Sequence, residues 1–376
     1  MERIWATLHD LLTLNSPSQR ERPVADYVAR RLRQLGLEVH EDEAGQRWQG
    51  NAGNVIGVTD GWSLPPGKEE RDSPRLLLCA HMDTVQPTEG IQVLRQGDRV
   101  RAQNSPILGA DDKAGITAIL EALAWLRASQ RPCPPLAVAF TIAEEVGLWG
   151  AQALDTAALR CQMGFVLDSG SPPGTFVVQA PAEDDLRIRV QGRSAHAGVE
   201  PEKGINAIAA AAKAIGALPW GRLDSETTAN VGIIHGGTAV NIVPDRVEIR
   251  AEARSLDEGK LQTHVKKMQQ VFQEEVQRNG ARVEIQVSRL YPAFRLTEQD
   301  RPVQLAKKAA AAVGLEAQLQ SRGGGSDANI FNGRGVPTVN VGLGVQGEHT
   351  QEETLSLQDL QASTALVVAI LQAALE

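Results

Sequence analysis

Two helical patterns open the chain. In the second, Val24, Tyr27, Val28, Leu32 and Leu35 keep one face apolar and Gly36 stops it. The pattern then changes to nearly continuous apolar runs, "NVIGV" from Asn54 and "RLLLCAH" ending at His81. Between them "TDGWSLPPGKEERDSP" is polar and rich in Pro and Gly, which predicts a surface loop. A helix carried by Ile116, Ile119, Leu120 and Leu123 follows, then strands in "PLAVAFTIAEE" and "MGFVLDSG". Continuous apolar strands alternating with amphipathic helices predict an α/β sheet covered on both faces.

Near Pro181 the periodicity shifts. "LRIRVQG" alternates strictly, as a half-exposed strand does. An alanine-rich helix from about Gly204 to Leu218 precedes strands in "TANVGIIHGG" and "DRVEIRAEARS". A long helix from Leu256 to Asn279 and the strand "RVEIQVSRL" complete a β-α-β-β-α-β order of ferredoxin-like type. After Pro292 the α/β pattern resumes through a helix near Val303 to Val313, "ANIFNGRG", the strand "PTVNVGLG" and a last amphipathic helix from about Gln358. The expected architecture is therefore α/β with two domains. A mixed sheet covered by helices, residues 1–180 and 291–376, is interrupted by an α+β insert, residues 181–290.

Composition narrows the function classes. The chain has 376 residues, 42% hydrophobic and 22% charged, enough for two globular domains. Lys plus Arg is 38 against 46 Asp plus Glu, a net charge of -8, which argues against nucleic acid or an anionic membrane as the main partner. No long apolar stretch suits a membrane span, and the charged N-terminus lacks a signal-peptide pattern. Cys79, Cys133 and Cys161 form no CxxC pair and read as buried thiols in a reducing compartment, so a cytoplasmic protein is expected.

Chemistry gathers at strand ends, where open α/β sheets build sites. His81 and Asp83 close one strand, and their spacing turns both side chains the same way. An imidazole ligand commonly gives its second N–H to a carboxylate, so Asp83 orients His81 directly or through its loop; a polar strand end meeting solvent is the plainer reading. Glu144 and Glu145 end "LAVAFTIAEE". In extended backbone they point apart, so one suits a metal and the other a base; a solvated strand end is again the alternative. Asp168 ends "GFVLD", His349 follows "PTVNVGLG", and Asp111 precedes a helix in "GADDKAG". Two His and at least three carboxylates exceed the needs of one four-coordinate ion. A pair of divalent ions sharing one carboxylate fits better.

The motifs "HMDTV", "GADDKAG", "AEEVGLWGA", "LDSG", "HAG..P..GINAI" and "GEHT" occur in that order. Together they resemble the M20 family of metallopeptidases, in its peptidase T-like branch of tripeptide aminopeptidases, over nearly the whole chain. The resemblance implies that His81 and Asp168 bind one metal, that Glu145 and His349 bind the other, and that Asp111 bridges the two. It implies Asp83 as the residue orienting His81, Glu144 as general base, and a cis peptide between Asp111 and Asp112. His196 in "RSAHAGVEP" matches the family's oxyanion donor, which sometimes comes from the other subunit of a dimer. The insert would then be a lid and a dimerisation surface. The metals would be zinc, with cobalt or manganese as alternatives.

Asp168, where related carboxypeptidases and deacylases carry Glu, implies a small peptide with a free amino terminus. Asn241 and Arg254 resemble the family's contacts to a substrate carboxylate, although Arg250 and Arg254 also share the polar face of one strand and suit an ion-paired surface. In "SRGGGSDANIF", Arg322, Gly324 and Ser326 suit either substrate backbone or a turn. The competing functions are an M20-type carboxypeptidase or N-acyl amino acid deacylase, and a metal-holding binding protein without catalysis.

Other motifs lose. "GLGVQG" matches a dinucleotide fingerprint, but "EHTQEET" stands where an apolar helix should begin. HExxH is absent, and "LDSGSPPG" lacks the strand-turn-helix context of a nucleophile elbow. His9, His40 and His264 lie in ordinary surroundings, and His235 beside two glycines stays ambiguous. Asp112 reads as a structural neighbour of Asp111 that caps the helix.

Overall fold

Every residue of the strands Leu76–His81 and Leu136–Thr141 is buried, which explains why neither shows polar alternation. They pair in parallel, and Leu76–His81 also pairs in parallel with Met163–Ser169. That strand pairs in parallel with Thr338–Gly342. These four strands form the centre of a nine-stranded mixed sheet, flanked by antiparallel partners Val55–Thr59 on one side and Thr175–Ala180 on the other. The computed structural model describes residues 1–63 and 75–376; most of the predicted loop "TDGWSLPPGKEERDSP" lies outside the described residues.

The chain separates into two units. The first comprises Met1–Gln179, Arg295–Ser321 and Ser326–Glu376, and the second Ala180–Phe294 and Arg322–Gly325. In the first, the helices Glu2–Leu12, Ala110–Ala128 and Leu357–Ala373 pack on one another, and Ala110–Ala128 also packs on the central strands. Leu8, Leu11, Ile116, Ile119, Leu120, Leu123, Leu366 and Ile370 are buried in its core. The second unit is a five-stranded antiparallel sheet in which Arg246–Ser255 and Arg282–Tyr291 flank Ala182–Gln191. Thr227–Gly236 pairs on the outside of Arg246–Ser255. With the helices Ala207–Gly216 and Glu258–Arg278 this is the predicted ferredoxin-like order. The mixed α/β class with an α+β insert is thus as the hydrophobic pattern implies.

Local departures matter more for function. The strand in "PLAVAFTIAEE" stops at Thr141, short of both glutamates. The helix Ala110–Ala128 has non-helical backbone at Asp111 and Asp112, so regular helix begins only after them. A small sheet of Val93–Gln96, Arg99–Ala102 and Thr354–Ser356 has no counterpart in the hydrophobic pattern.

Candidate metal centre

The four parallel strands run in one direction, so their C-terminal ends lie along one edge of the sheet. His81 is the last residue of its strand, Asp168 sits at the end of Met163–Ser169, and Glu144 and Glu145 follow Thr141 in a turn. Five of the predicted residues converge there. His81 Nε2 lies 3.2 Å from Asp111 Oδ1 and 3.6 Å from Asp168 Oδ1. His349 Nε2 lies 3.2 Å from Asp111 Oδ2 and 3.1 Å from Glu145 Oε1. Asp111 thus turns one carboxylate oxygen to each histidine. Ligand-type atoms of His81, Asp111 and Asp168 lie within 4.8 Å of one another, and those of Asp111, Glu145 and His349 do the same.

One expectation about the glutamates needs correction. They diverge because of a turn, not because of strand pleating. Ala143 adopts φ 51°, and the Glu144 carbonyl accepts from Gly147 N and Leu148 N. Glu145 is carried toward His349, while the Glu144 carboxylate has no hydrogen-bond or ion-pair partner among the described residues.

The loops are fixed by buried acceptors. Asp83 lies near the His81 ring, but the closer partner of His81 Nδ1 is the Asp83 carbonyl at 2.9 Å, with the carboxylate at 3.4 Å. That carboxylate accepts from Glu144 N at 2.9 Å, Glu145 N at 3.2 Å and Ser18 Oγ at 2.6 Å. One acid therefore aims a histidine and seats both glutamates. The peptide between Asp111 and Asp112 is cis. Asp112 accepts from His81 N at 3.1 Å and from Gly115 N at 3.0 Å, tying the strand end to the first helical turn. Gly115 has no room for a side chain, since a Cβ there would lie 2.1 Å from the Leu167 carbonyl.

Sequence reasoning missed several members of this scaffold. Glu353, 1% exposed, accepts from Gly109 N at 2.6 Å and Asp111 N at 3.0 Å. Its only signal was a second Glu pair after His349. Asn340 accepts from Asp168 N at 3.1 Å. Asp327, also buried, accepts from Thr141 Oγ1 at 2.6 Å. Glu21 and Asn54 accept from Ala143 N and Ile142 N. Glu21 gave no signal, because an acid among arginines at a helix start reads as solvated.

The electrostatics describe a cluster short of positive charge. Burial, reinforced by neighbouring carboxylates, pushes Asp168 up to about 8 and raises Glu145 as well. Burial and then Asp168 lift Glu144 well above the usual carboxylate range. Hydrogen bonds to Asp111 and Glu145 raise His349 to about 10. Burial opposes charge on His81, yet Asp111, Asp168 and Asp83 carry its pKa well above the imidazole norm. Burial works to raise Asp111 too, but His349 and His81 hold it low. Protons on the histidines stand where cations would relieve the same repulsion. The donor set of imidazole nitrogen and carboxylate oxygen, arranged as two triads sharing Asp111, fits two divalent ions.

The remaining predicted residues are placed within their own units. His196 is exposed in the second unit, and its Nδ1 accepts from Gly198 N at 3.2 Å and Val199 N at 3.1 Å. A neutral ring held this way carries its proton on Nε2 and presents a donor. Asn241 is exposed, with its carbonyl accepting from Ala197 N. Arg254 is engaged with both oxygens of Glu252, at 3.2 Å and 2.7 Å, and approaches Glu183 at 3.3 Å. Arg322 and Gly324 belong to the second unit. Ser326 belongs to the first, where it is 4% exposed and caps the helix Asp327–Gly333. Cys79 and Cys133 are buried and Cys161 partly so, all as free thiols. No helix among the described residues is long and apolar enough to cross a membrane.

Residues 184–279 match the model of the peptidase dimerisation domain of the M20 family, and residues 54–208 match that of peptidase family M28. The second stretch contains His81, Asp111, Glu144, Glu145 and Asp168. The structure is similar to that of aminopeptidase PepT from Bacillus cereus, with a TM-score of 0.87, 37% identity, and coverage of 100% of this chain and 99% of that one. A tripeptidase from Staphylococcus aureus superposes with a TM-score of 0.91 at 34% identity, covering 100% and 98%. The YqjE protein of Bacillus subtilis, itself uncharacterized, is 39% identical over 99% of this chain and 98% of its own length. The chain belongs to the M20 family of metallopeptidases, in its peptidase T-like branch.

Proposed function

We propose that the protein is an aminopeptidase of small peptides, tripeptides or similar, using two divalent metal ions, with zinc as the expected metal and cobalt or manganese as alternatives. The observation that carries the reading is the shared position of Asp111, one oxygen toward each histidine, beside an unpartnered Glu144 carboxylate. His81 and Asp168 would hold one ion, Glu145 and His349 the other, with Asp111 between them and Asp83 orienting His81. Such ions supply Lewis acidity and lower the proton affinity of a water.

Glu144 takes a proton from the attacking water as it adds to the peptide carbonyl, then returns it to the leaving amine. Burial and Asp168 raise its proton affinity, and a carboxylate of raised proton affinity is a stronger base toward the attacking water. We assign to His196 a donor role toward the developing oxyanion, in the Nε2–H tautomer that the amides of Gly198 and Val199 select. Asn241, Arg254, Arg322 and Gly324 are the candidate substrate contacts. Ser326 is a weaker one because its position serves the helix cap.

The similarity to an aminopeptidase and a tripeptidase over whole chains supports the free-amino-terminus reading. Homodimerisation through the second unit is supported by its match to a dimerisation domain and by Ile233 and Ile234, 45% and 48% exposed on the stretch of Thr227–Gly236 beyond its pairing with Gly221–Arg222. A cytoplasmic location belongs to the same proposal and is supported by the free thiols.

The test is a panel of tripeptides, N-acetylated peptides and N-acyl amino acids, run on metal-stripped protein with each ion added back. Tripeptides with free amino termini should be cleaved best. A clear preference for blocked amino termini would instead establish the deacylase or carboxypeptidase reading. Glu144→Gln should keep its metal and lose hydrolysis; wild-type turnover in that variant would remove Glu144 as the base.

A further inference from the structure

Four successive backbone N–H groups in the Glu144–Glu145 turn meet side chains from elsewhere in the first unit. Asn54 Oδ1 accepts from Ile142 N at 3.1 Å and Glu21 Oε1 from Ala143 N at 3.1 Å. Asp83 Oδ1 and Oδ2 accept from Glu144 N and Glu145 N. Asn54, Glu21 and Asp83 are all 0% exposed. The other side of the turn is closed as well, since Trp149 N donates to the Ala143 carbonyl and Gly150 N to the Ile142 carbonyl. Asn54 Nδ2 completes the clamp by donating to the Gly150 carbonyl at 2.9 Å.

Ala143 is the pivot. Its φ of 51° is a left-handed conformation that residues with a side chain hold only where the surroundings over-determine it. Glu21 supplies the acceptor at that pivot in an unusual way. It occupies the N-cap position of the helix Arg22–Gln34, yet its side chain does not cap that helix. Its Oε1 takes Ala143 N and Gln19 N, and Oε2 has no hydrogen-bond partner. No cation is paired with it among the described residues. A buried carboxylate without a counter-charge is a poor stability device, because desolvation outweighs two hydrogen bonds. Its contacts instead converge on the residue just before Glu144.

We propose that Glu21 is a positioning residue for hydrolysis: by holding the Ala143 N–H it sets where the Glu144 carboxylate stands. The inference rests on Glu144 acting as general base. It is tested by kcat, KM and bound metal for Glu21→Ala, Glu21→Gln and Glu144→Gln on the best-cleaved peptide of the panel. In Glu21→Ala, kcat should fall ~10²-fold, the scale of a base displaced by about 1 Å, with KM within ~3-fold and metal content unchanged. Glu21→Gln should recover most of that loss, because its amide oxygen still accepts. Should Glu21→Ala fold poorly, Glu21→Asp withdraws the same oxygen with charge kept and should show the kcat loss at an unchanged unfolding midpoint.

Wild-type kcat in Glu21→Ala or Glu21→Asp overturns the proposal. So does a loss that follows the loss of metal, or a Glu21→Gln variant as impaired as Glu21→Ala. Active Glu144→Gln sinks the base assignment by itself, whereas silent Glu144→Gln beside fully active Glu21→Ala sinks only the positioning role.

Discussion

Two regions of the molecule crowd acids and bases together, and they do so differently. On the sheet of the second unit each acid has an arginine. Asp185 meets Arg250 at 3.0 Å and Arg187 at 3.5 Å, Glu252 meets Arg254 at 2.7 Å, and Asp184 meets Arg289 at 2.6 Å. At the strand ends of the first unit Asp111, Glu144, Glu145 and Asp168 face two histidines and no arginine or lysine ion pair among the described residues. The first arrangement is balanced in itself. The second is balanced only by protons or added cations, and its raised carboxylates and histidines report that. A buried cluster whose acids outnumber its cations is a candidate metal site, whereas acids that each have an arginine form a self-contained ion-pair network.

Removing the shared carboxylate should break the comparison most sharply. Asp111→Ala should lose bound metal and reduce hydrolysis by more than ~10³-fold, as loss of a group on which a whole catalytic unit depends does. Elemental analysis beside kcat/KM checks this, and retained metal would contradict the bridging role. Asp112→Ala removes acceptors for His81 N and Gly115 N rather than a ligand. Its expected cost is ~10–100-fold in metal affinity or activity, the range for groups that orient ligands. Equal loss from both variants would show that the adjacent acids do not divide their work.

A third measurement sharpens the contrast through protons. His349, raised to about 10, and Asp168, raised to about 8, hold protons near neutral pH that metal must displace. Metal uptake should therefore release protons, and apparent affinity should climb as pH rises through about 8 and then about 10. Zinc titrations by calorimetry in buffers of different ionisation enthalpy count those protons; uptake without release contradicts the picture. The smallest effect belongs to the second unit. Arg250→Ala breaks a partly exposed pair with Asp185 and should change stability by no more than ~1 kcal/mol, with metal content untouched. Chemical denaturation of the metal-bound protein checks it.

Much of this molecule is legible in the amino-acid sequence. Hydrophobic periodicity is enough for the α/β class and the ferredoxin-like insert, because burial on two faces and on one face leave different residue patterns. His81 and Asp168 are legible as polar ends of apolar strands, Asp111 as the start of a helix, and Glu145 and His349 as polar residues in the loops that follow apolar strands, and the structure brings all five together. What the sequence does not reveal is who holds them. Glu21, Asn54 and Glu353 act on backbone N–H groups far along the chain, and an acceptor for a distant amide has no local pattern. The turn at Ala143 is hidden for a related reason. A left-handed alanine is unfavourable by its own local energetics, and only acceptors from three other segments make it the place where two adjacent glutamates part. Local chemistry selects which residues can react; long-range hydrogen bonds in a buried setting decide where each one points.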